Sequence, residues 1–216
     1  MVGVATVLGQ PGNKEFKMAD SREVNVWSHH ALQQWESSPD GHSFNENDPM
    51  VITLHELGDG VKKVVDLGCG GGLWYQMFDG YDYTGIDQNE EMIRYAKKRW
   101  PSSKFLVSEG EKTPLEDGSV DLVFTSAVLQ HNLHARKGLV VEEIHRVLRP
   151  GGYYLCTENT FRPDNYHHSF PAGWAFSDDL DDGYTLTFAG WEKYMKPFGF
   201  TLLKKFRNSD YLYQRE

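Results

Sequence analysis

Residues 64–74 read VVDLGCGGGLW. The β-branched run leading in, VKKVVDL at 61–67, has the composition of a buried strand. Glycines then stand at 68, 70, 71 and 72, with Cys69 between them. Each glycine loses more backbone freedom on folding than any other residue, so a cluster of them needs a compensating gain. At the carboxyl end of a strand in an α/β sheet, that gain is a loop whose backbone a ligand can approach closely. Spacing narrows the ligand. The dinucleotide pattern Gly-x-Gly-x-x-Gly needs glycine at 73, where Leu73 stands, and no Gly-Lys-Ser or Gly-Lys-Thr follows to make a phosphate loop.

Outward from this loop the chain alternates strand and helix signals. A short helix follows the glycines to about Phe78, and YDYTGID (81–87) reads as a second strand. NEEMIRYAKKRW (89–100) is a helix capped by Asn89, with acids in its first turn and bases in its last. KFLVSEG (104–110), a turn-rich link around Pro114 and Asp117-Gly118, and the strand SVDLVFTS (119–126) come next. A helix near 136–148 stops at Arg149-Pro150-Gly151-Gly152, and GYYLCTEN (152–159) is another strand. This alternation implies βαβ units, hence a parallel sheet with helices on both faces. The C-terminal part breaks the rhythm: after a helix near 188–197, FTLLKKFR (200–207) and DYLYQRE (210–216) are spaced to pair as an antiparallel hairpin.

Upstream, residues 1–20 contain Gly3, Gly9, Pro11 and Gly12 without periodicity and read as an arm. Residues 21–60 read as a helical cap. Val24, Trp27, Ala31 and Trp35 fall at helical spacings, and Asn47-Asp48-Pro49 starts a second helix that runs to Gly58.

Asp66-x-Gly68-x-Gly70-x-Gly72 closely resembles the first motif of the class I S-adenosylmethionine-dependent methyltransferases. Three more stretches resemble that family's motifs in order. Asp87 ends the second strand, where a carboxylate can accept hydrogen bonds from two ribose hydroxyls. LVSEGEKTPLEDGSVDLVFTSAVLQH (106–131) is similar to the stretch joining the third strand, the fourth strand and the loop after it. LRPGGYYL (148–155) matches the turn into the fifth strand. The resemblance covers about residues 61–158. It implies a Rossmann-like α/β domain over 61–216, with a mostly parallel seven-stranded sheet, a C-terminal antiparallel hairpin and helices on both faces. It also implies S-adenosyl-L-methionine as methyl donor and S-adenosyl-L-homocysteine as product. On this resemblance Asp66, Gly68, Cys69, Gly70 and Gly72 surround the methionine part of the cofactor. Asp87 and Gln88 meet the ribose end, Glu109-Gly110 lie beside the adenine, and Ser126 lines the methyl-donor site. Glu109 stands where the family often has aspartate. Trp27 is a further cofactor candidate by position.

The acceptor side is read from other residues. His131, just after Ser126-Ala-Val-Leu-Gln, is placed to act as a general base that takes a proton from an attacking hydroxyl. Its ordinary pKa of roughly 6.5 suits that task; the plainer reading is a histidine that orders its loop. The segment 159–184 is far longer than a simple βα connection and dense in aromatics, as a lid or binding loop would be. Tyr166, His167 and Trp174 are its substrate-binding candidates, together with His30 of the cap, and the helices of 21–58 are expected to close over the cofactor. His167-His168 lacks an HxH or HxxxH spacing, so no metal site is expected. Cys69 and Cys156 are far apart and read as small buried apolar residues.

Composition removes other classes. A formal net charge of −9 argues against a surface that neutralises phosphates, so no nucleic-acid partner is expected. Thr125-Ser126-Ala127-Val128 also stands where a nucleic-acid methylase would carry an Asn-Pro-Pro-Tyr-like motif. No apolar run reaches the roughly 20 residues that span a bilayer, so no membrane partner is expected. The N-terminus lacks a basic start with a long apolar core, which reads as cytoplasmic. The expectation is a monomeric or homodimeric methyltransferase acting on a small-molecule hydroxyl or carboxylate by in-line displacement. Two alternatives stand beside it: an N-methyltransferase of an amine or peptide, and a non-catalytic cofactor-binding regulatory or scaffold protein. The last would keep the glycine loop and Asp87, and turnover separates it.

Overall fold

The strand that feeds the glycine loop, β1 (Lys63–Leu67), lies inside a seven-stranded sheet. The computed structural model describes residues 44, 46–129, 132, 134–158, 191, 194–207 and 209–216. In chain order these form α1 (Pro49–Glu56), β1, β2 (Asp82–Asp87), α2 (Glu90–Arg99), β3 (Lys104–Val107), β4 (Val120–Ser126), α3 (His134–Val147), β5 (Leu148–Thr157), β6 (Phe200–Lys205) and β7 (Asp210–Arg215). The strand order is β3-β2-β1-β4-β5-β7-β6. Strands β1 to β5 run parallel, and β7 runs antiparallel to both β5 and β6. The expected seven-stranded, mostly parallel sheet with a C-terminal antiparallel hairpin is therefore present. Winding reverses between the neighbours β1 and β4, which makes their carboxyl ends the switch point where open α/β sheets bind ligands.

Strand alternation sends neighbouring side chains to opposite layers. On one face Val64, Leu122, Phe124, Leu155 and Leu212 meet Met50 and Leu54 of α1 and Ile93 and Ala96 of α2. On the other Val65, Val123, Tyr154, Tyr211 and Tyr213 meet Val140, Val141, Ile144 and Val147 of α3, with Trp191 and Met195. Local chemistry sets the helix starts. The Asp48 carboxylate accepts the Met50 amide at 2.9 Å with Pro49 in the first turn. Asn89 accepts the amides of Glu91 and Met92 at 2.9 and 3.3 Å.

Three local details differ from the sequence reading. The element after the glycine loop is only a four-residue 3-10 turn, Tyr75–Phe78, because Asp79 goes extended straight after it. Strand β5 starts at Leu148 rather than 152: Leu148 pairs with Val120 before the register shifts to Leu122 with Tyr153. Gly151, at φ 73°, and an Arg149 Nε to Asp121 hydrogen bond of 2.6 Å hold that irregularity. Helix α1 lies along a sheet face, with Asp48 paired to Arg207 and Glu56 to Lys204. Residues 49–56 of the expected cap are thus part of a core layer rather than a cover over the sheet edge. The arm (1–20), the rest of the cap up to 43 and the 159–184 insertion lie outside the described residues. Among the described residues no helix is long and apolar enough to cross a membrane, and Cys69 and Cys156 are buried free thiols.

Candidate active site

Strand β1 delivers the glycine loop to the carboxyl edge, and the loop is fixed there by its own amides. The N–H groups of Gly68 and Cys69 both donate to Ile86 O of β2, at 2.7 and 3.0 Å. The Gly70 amide donates to Asp87 Oδ2 at 2.9 Å, and the Gly72 amide to Cys69 O at 2.9 Å. Gly68 and Gly72 take φ of 75° and 77°, in the region that favours glycine. Neither has room for a methyl group: a Cβ on Gly68 would sit 2.4 Å from Val128 Cγ2, and one on Gly72 2.8 Å from the Trp100 ring. Trp100 Nε1 also donates to Gly72 O at 3.0 Å, pinning the far end of the loop to the end of α2. The amides of Gly68, Cys69, Gly70 and Gly72 are thus committed inside the protein. The loop offers close backbone approach flanked by two acids.

The acids differ in environment. Asp66 is 1% exposed and accepts the Tyr83 hydroxyl at 2.9 Å. Burial raises its carboxyl pKa to about 7, against the Tyr83 hydrogen bond, which lowers it, and with a smaller push from Asp87. Asp87 is half-buried at the end of β2. Burial raises its pKa too, while the amides of Asn89, at 2.8 Å, and Gly70 hold it down. A carboxylate oxygen has two acceptor directions, so each Asp87 oxygen still has one left for a ligand hydroxyl.

At the ends of β2 and β3 the next walls converge. Glu109 is exposed in a tight turn, with Lys112 N donating to its carbonyl at 3.4 Å. Gly110 packs beside Val140 and Leu67. Arg136 of α3 donates to Gln88 Oε1 at 3.1 Å and ion-pairs with Glu111, so one guanidinium spans the loops after β2 and β3.

The fourth wall follows β4. Ser126 ends the strand in register with Thr157. Ala127, at φ 55°, is the one non-glycine with positive φ among the described residues, and its amide donates to Thr157 O at 2.8 Å. Glu158, fully buried just past β5, accepts at one oxygen from Thr125 Oγ1 (3.0 Å) and from the amides of Val128 and Leu129 (both 3.1 Å). Lys137, also fully buried, donates to Asn132 O at 2.6 Å. Burial lowers its amine pKa to about 7, against the charge of Glu158, which pulls it up.

Comparison with known proteins fits this geometry. The family model described as a methyltransferase domain matches residues 65–156, which carry the glycine loop, Asp87 and the β4 loop. Residues 65–156 thus match a methyltransferase-domain family, and the fold is shared with S-adenosylmethionine-dependent methyltransferases of known structure. The methyltransferase segment is 33% identical over 107 residues to an uncharacterised methyltransferase of Synechocystis sp., covering 49% of this chain and 50% of that one. It is 34% identical over 109 residues to the fatty-acid O-methyltransferase of Mycolicibacterium smegmatis, covering 48% and 39%. The chain thus spans half or less of the length of these relatives. In fold it resembles magnesium protoporphyrin IX methyltransferase from Synechocystis PCC 6803 with bound S-adenosylhomocysteine. The TM-score is 0.68 at 16% identity, over 91% of this chain and 100% of that one.

S-adenosylmethionine is the cofactor of this methyltransferase family, and the residues present suit it. Two acids, Asp66 and Asp87, stand at the glycine loop, and its glycines at 68 and 72 leave no room for side chains. Asp66, Gly68, Gly70, Gly72, Asp87, Gln88, Glu109, Gly110 and Ser126 all fall at the carboxyl edge of β1 to β4. Cys69 is there by its backbone, while its thiol turns into the core beside Gly85. Trp27, His30, His131, Tyr166, His167 and Trp174 lie outside the described residues. Among those described, no group of three His, Cys, Asp or Glu residues is arranged to hold a metal ion. Sequence reasoning missed Tyr83, Arg136, Lys137 and Glu158. Only Glu158 left a signal, an acid closing the apolar run of β5.

Proposed function

We propose that this methyltransferase moves the methyl group of S-adenosylmethionine onto a hydroxyl or carboxyl oxygen of a small molecule by in-line displacement. The observation that carries the reading is the carboxyl edge, where a tightly packed glycine loop lies between the acids Asp66 and Asp87 at the switch point of the sheet. A sulfonium is already a good leaving group, so the protein supplies chiefly position and exclusion of water. When bound, the cofactor provides the electrophilic methyl. Asp87 orients the ribose, Asp66 faces the methionine end, and Ser126 with the β4 loop borders the methyl.

An oxygen acceptor is favoured because the M. smegmatis relative is named a fatty-acid O-methyltransferase. His131, two residues after Leu129 in the chain, is the base for a hydroxyl acceptor. Trp27 completes the cofactor site, and His30, Tyr166, His167 and Trp174 form the acceptor pocket, with 159–184 as its lid. The test is His131→Ala. Turnover on a hydroxyl acceptor falls by roughly 10²-fold or more, as expected when a general base is lost, while calorimetric affinity for S-adenosylhomocysteine stays nearly unchanged. Equal losses in both make His131 structural and remove the base.

A further inference from the structure

We propose that Glu158 is a positioning residue for the donor site: its buried carboxylate holds the loop after β4 against the glycine loop. The chain of contacts is short. One Glu158 oxygen gathers Thr125 Oγ1 and the amides of Val128 and Leu129 within 3.1 Å. Val128, fixed at its amide, presses its side chain onto Gly68, leaving no space there even for a methyl group. The loop is held at its other end as well. The Asn132 amide donates to Leu129 O at 3.1 Å, Asn132 Nδ2 donates to Val128 O at 2.8 Å, and Asn132 O accepts Lys137 Nζ at 2.6 Å.

The strain in this loop shows what the clamp works against. Ala127 sits at φ 55°, a conformation that disfavours a residue with a Cβ. Such a backbone persists only where its surroundings over-determine it. Here they do: Ala127 N bonds to Thr157 O, and the next two amides are taken by Glu158. Glu158 is itself fixed from outside the loop, since its own amide donates to Ser209 O at 2.8 Å, from the turn between β6 and β7. The antiparallel hairpin thereby becomes the anchor of a donor-site wall. The charged groups facing this carboxylate from the packed elements include Lys137 on α3, and Thr125 and Tyr154 share its hydrogen-bond network at 2.8 Å.

The inference rests on reading the carboxyl edge as the donor site, and the experiment separates the two. Glu158→Gln keeps the shape and lets one oxygen accept, but its other terminal atom becomes a donor and the charge is lost. Hydrogen exchange of the full chain, with and without S-adenosylhomocysteine, is followed in wild type, Glu158→Gln and Glu158→Asp. The expected result for Glu158→Gln is exchange at least tenfold faster at Val128 and Leu129, then at Gly68–Gly72, with the interiors of β1, β4 and β5 unchanged. The dissociation constant for S-adenosylhomocysteine rises by about tenfold or more. Glu158→Asp keeps the charge and recovers part of both effects. Unchanged exchange at 127–132, or loss of protection spread evenly over the sheet, overturns the proposal and leaves Glu158 an ordinary core residue. Failure of the wild type to bind S-adenosylhomocysteine overturns the donor-site reading instead, whatever the exchange shows.

Discussion

Asp87 and Gly70 are joined by a 2.9 Å hydrogen bond from the glycine amide to the carboxylate, which ties the loop after β1 to the end of β2. On the proposed function, the acid that meets the ribose is also the acid that shapes the glycine loop, so a mutation at that residue disturbs both.

Asp87→Asn tests this double duty. The amide group must turn one donor toward either the Gly70 or the Asn89 N–H, replacing an attraction with a repulsion. A hydrogen bond to a charged group contributes about 1.5–3 kcal/mol. The expected loss in S-adenosylhomocysteine affinity, measured by calorimetry, is therefore about tenfold to a hundredfold. Faster exchange at Gly70 should accompany it, and weakened binding with an unchanged loop would assign Asp87 to the ribose alone.

Gly68→Ala tests the contact between the loops. A Cβ there meets Val128 Cγ2 at 2.4 Å on a backbone at φ 75°. Left-handed strain of about 1–2 kcal/mol adds to overpacking of about 1–3 kcal/mol, to be read from denaturant unfolding. Adding Val128→Ala relieves the overlap and not the strain, so the double variant recovers only part of the loss. Complete recovery would show that the backbone at 68 is not constrained as described.

Asp66 makes stability and binding depend on pH. Its folded-state pKa of about 7 lies above the ordinary 3.8, so the fold binds that proton more tightly than the unfolded chain does. The stabilising contribution is full below about pH 4 and is lost as pH rises through 7. Asp66→Asn cannot ionise and keeps the Tyr83 hydrogen bond through its amide oxygen. Its Tm should match wild type near pH 4 and exceed it increasingly up to pH 8. A bound cation favours the ionised acid, so S-adenosylmethionine should gain affinity over the product between pH 5 and 8, and that trend should vanish in Asp66→Asn.

Arg136 tests the nucleoside end. Arg136→Ala frees Gln88 from Glu111, which should raise exchange in the loops after β2 and β3 and weaken adenosine-containing ligands. Methionine alone, used as a competitor at high concentration, should bind as before. Equal losses for both ligands would move Arg136 away from the nucleoside.

The central half of this fold was legible because its signals are local. Asn89 caps α2, Asp48-Pro49 start α1, and the glycines after Leu67 mark a loop with positive φ. The resemblance to a family's motifs singled out Asp66, and its place at the end of the second strand singled out Asp87. The loop's inner wiring was not legible. Tyr83 reaches Asp66, and Glu158 reaches Val128, across pairs of neighbouring strands, and strand register decides such contacts rather than sequence proximity. The short helix expected to end near Phe78 is a single 3-10 turn, Tyr75–Phe78, whose helix type the sequence does not specify.

Transfer of a labelled methyl group from S-adenosylmethionine to a panel of fatty acids, phenols, alcohols and amines tests the central claim most directly. The account predicts label on a hydroxyl or carboxyl oxygen, with S-adenosylhomocysteine released in equal amount. Label on amine nitrogen alone, or tight cofactor binding with no transfer to any acceptor, would contradict it.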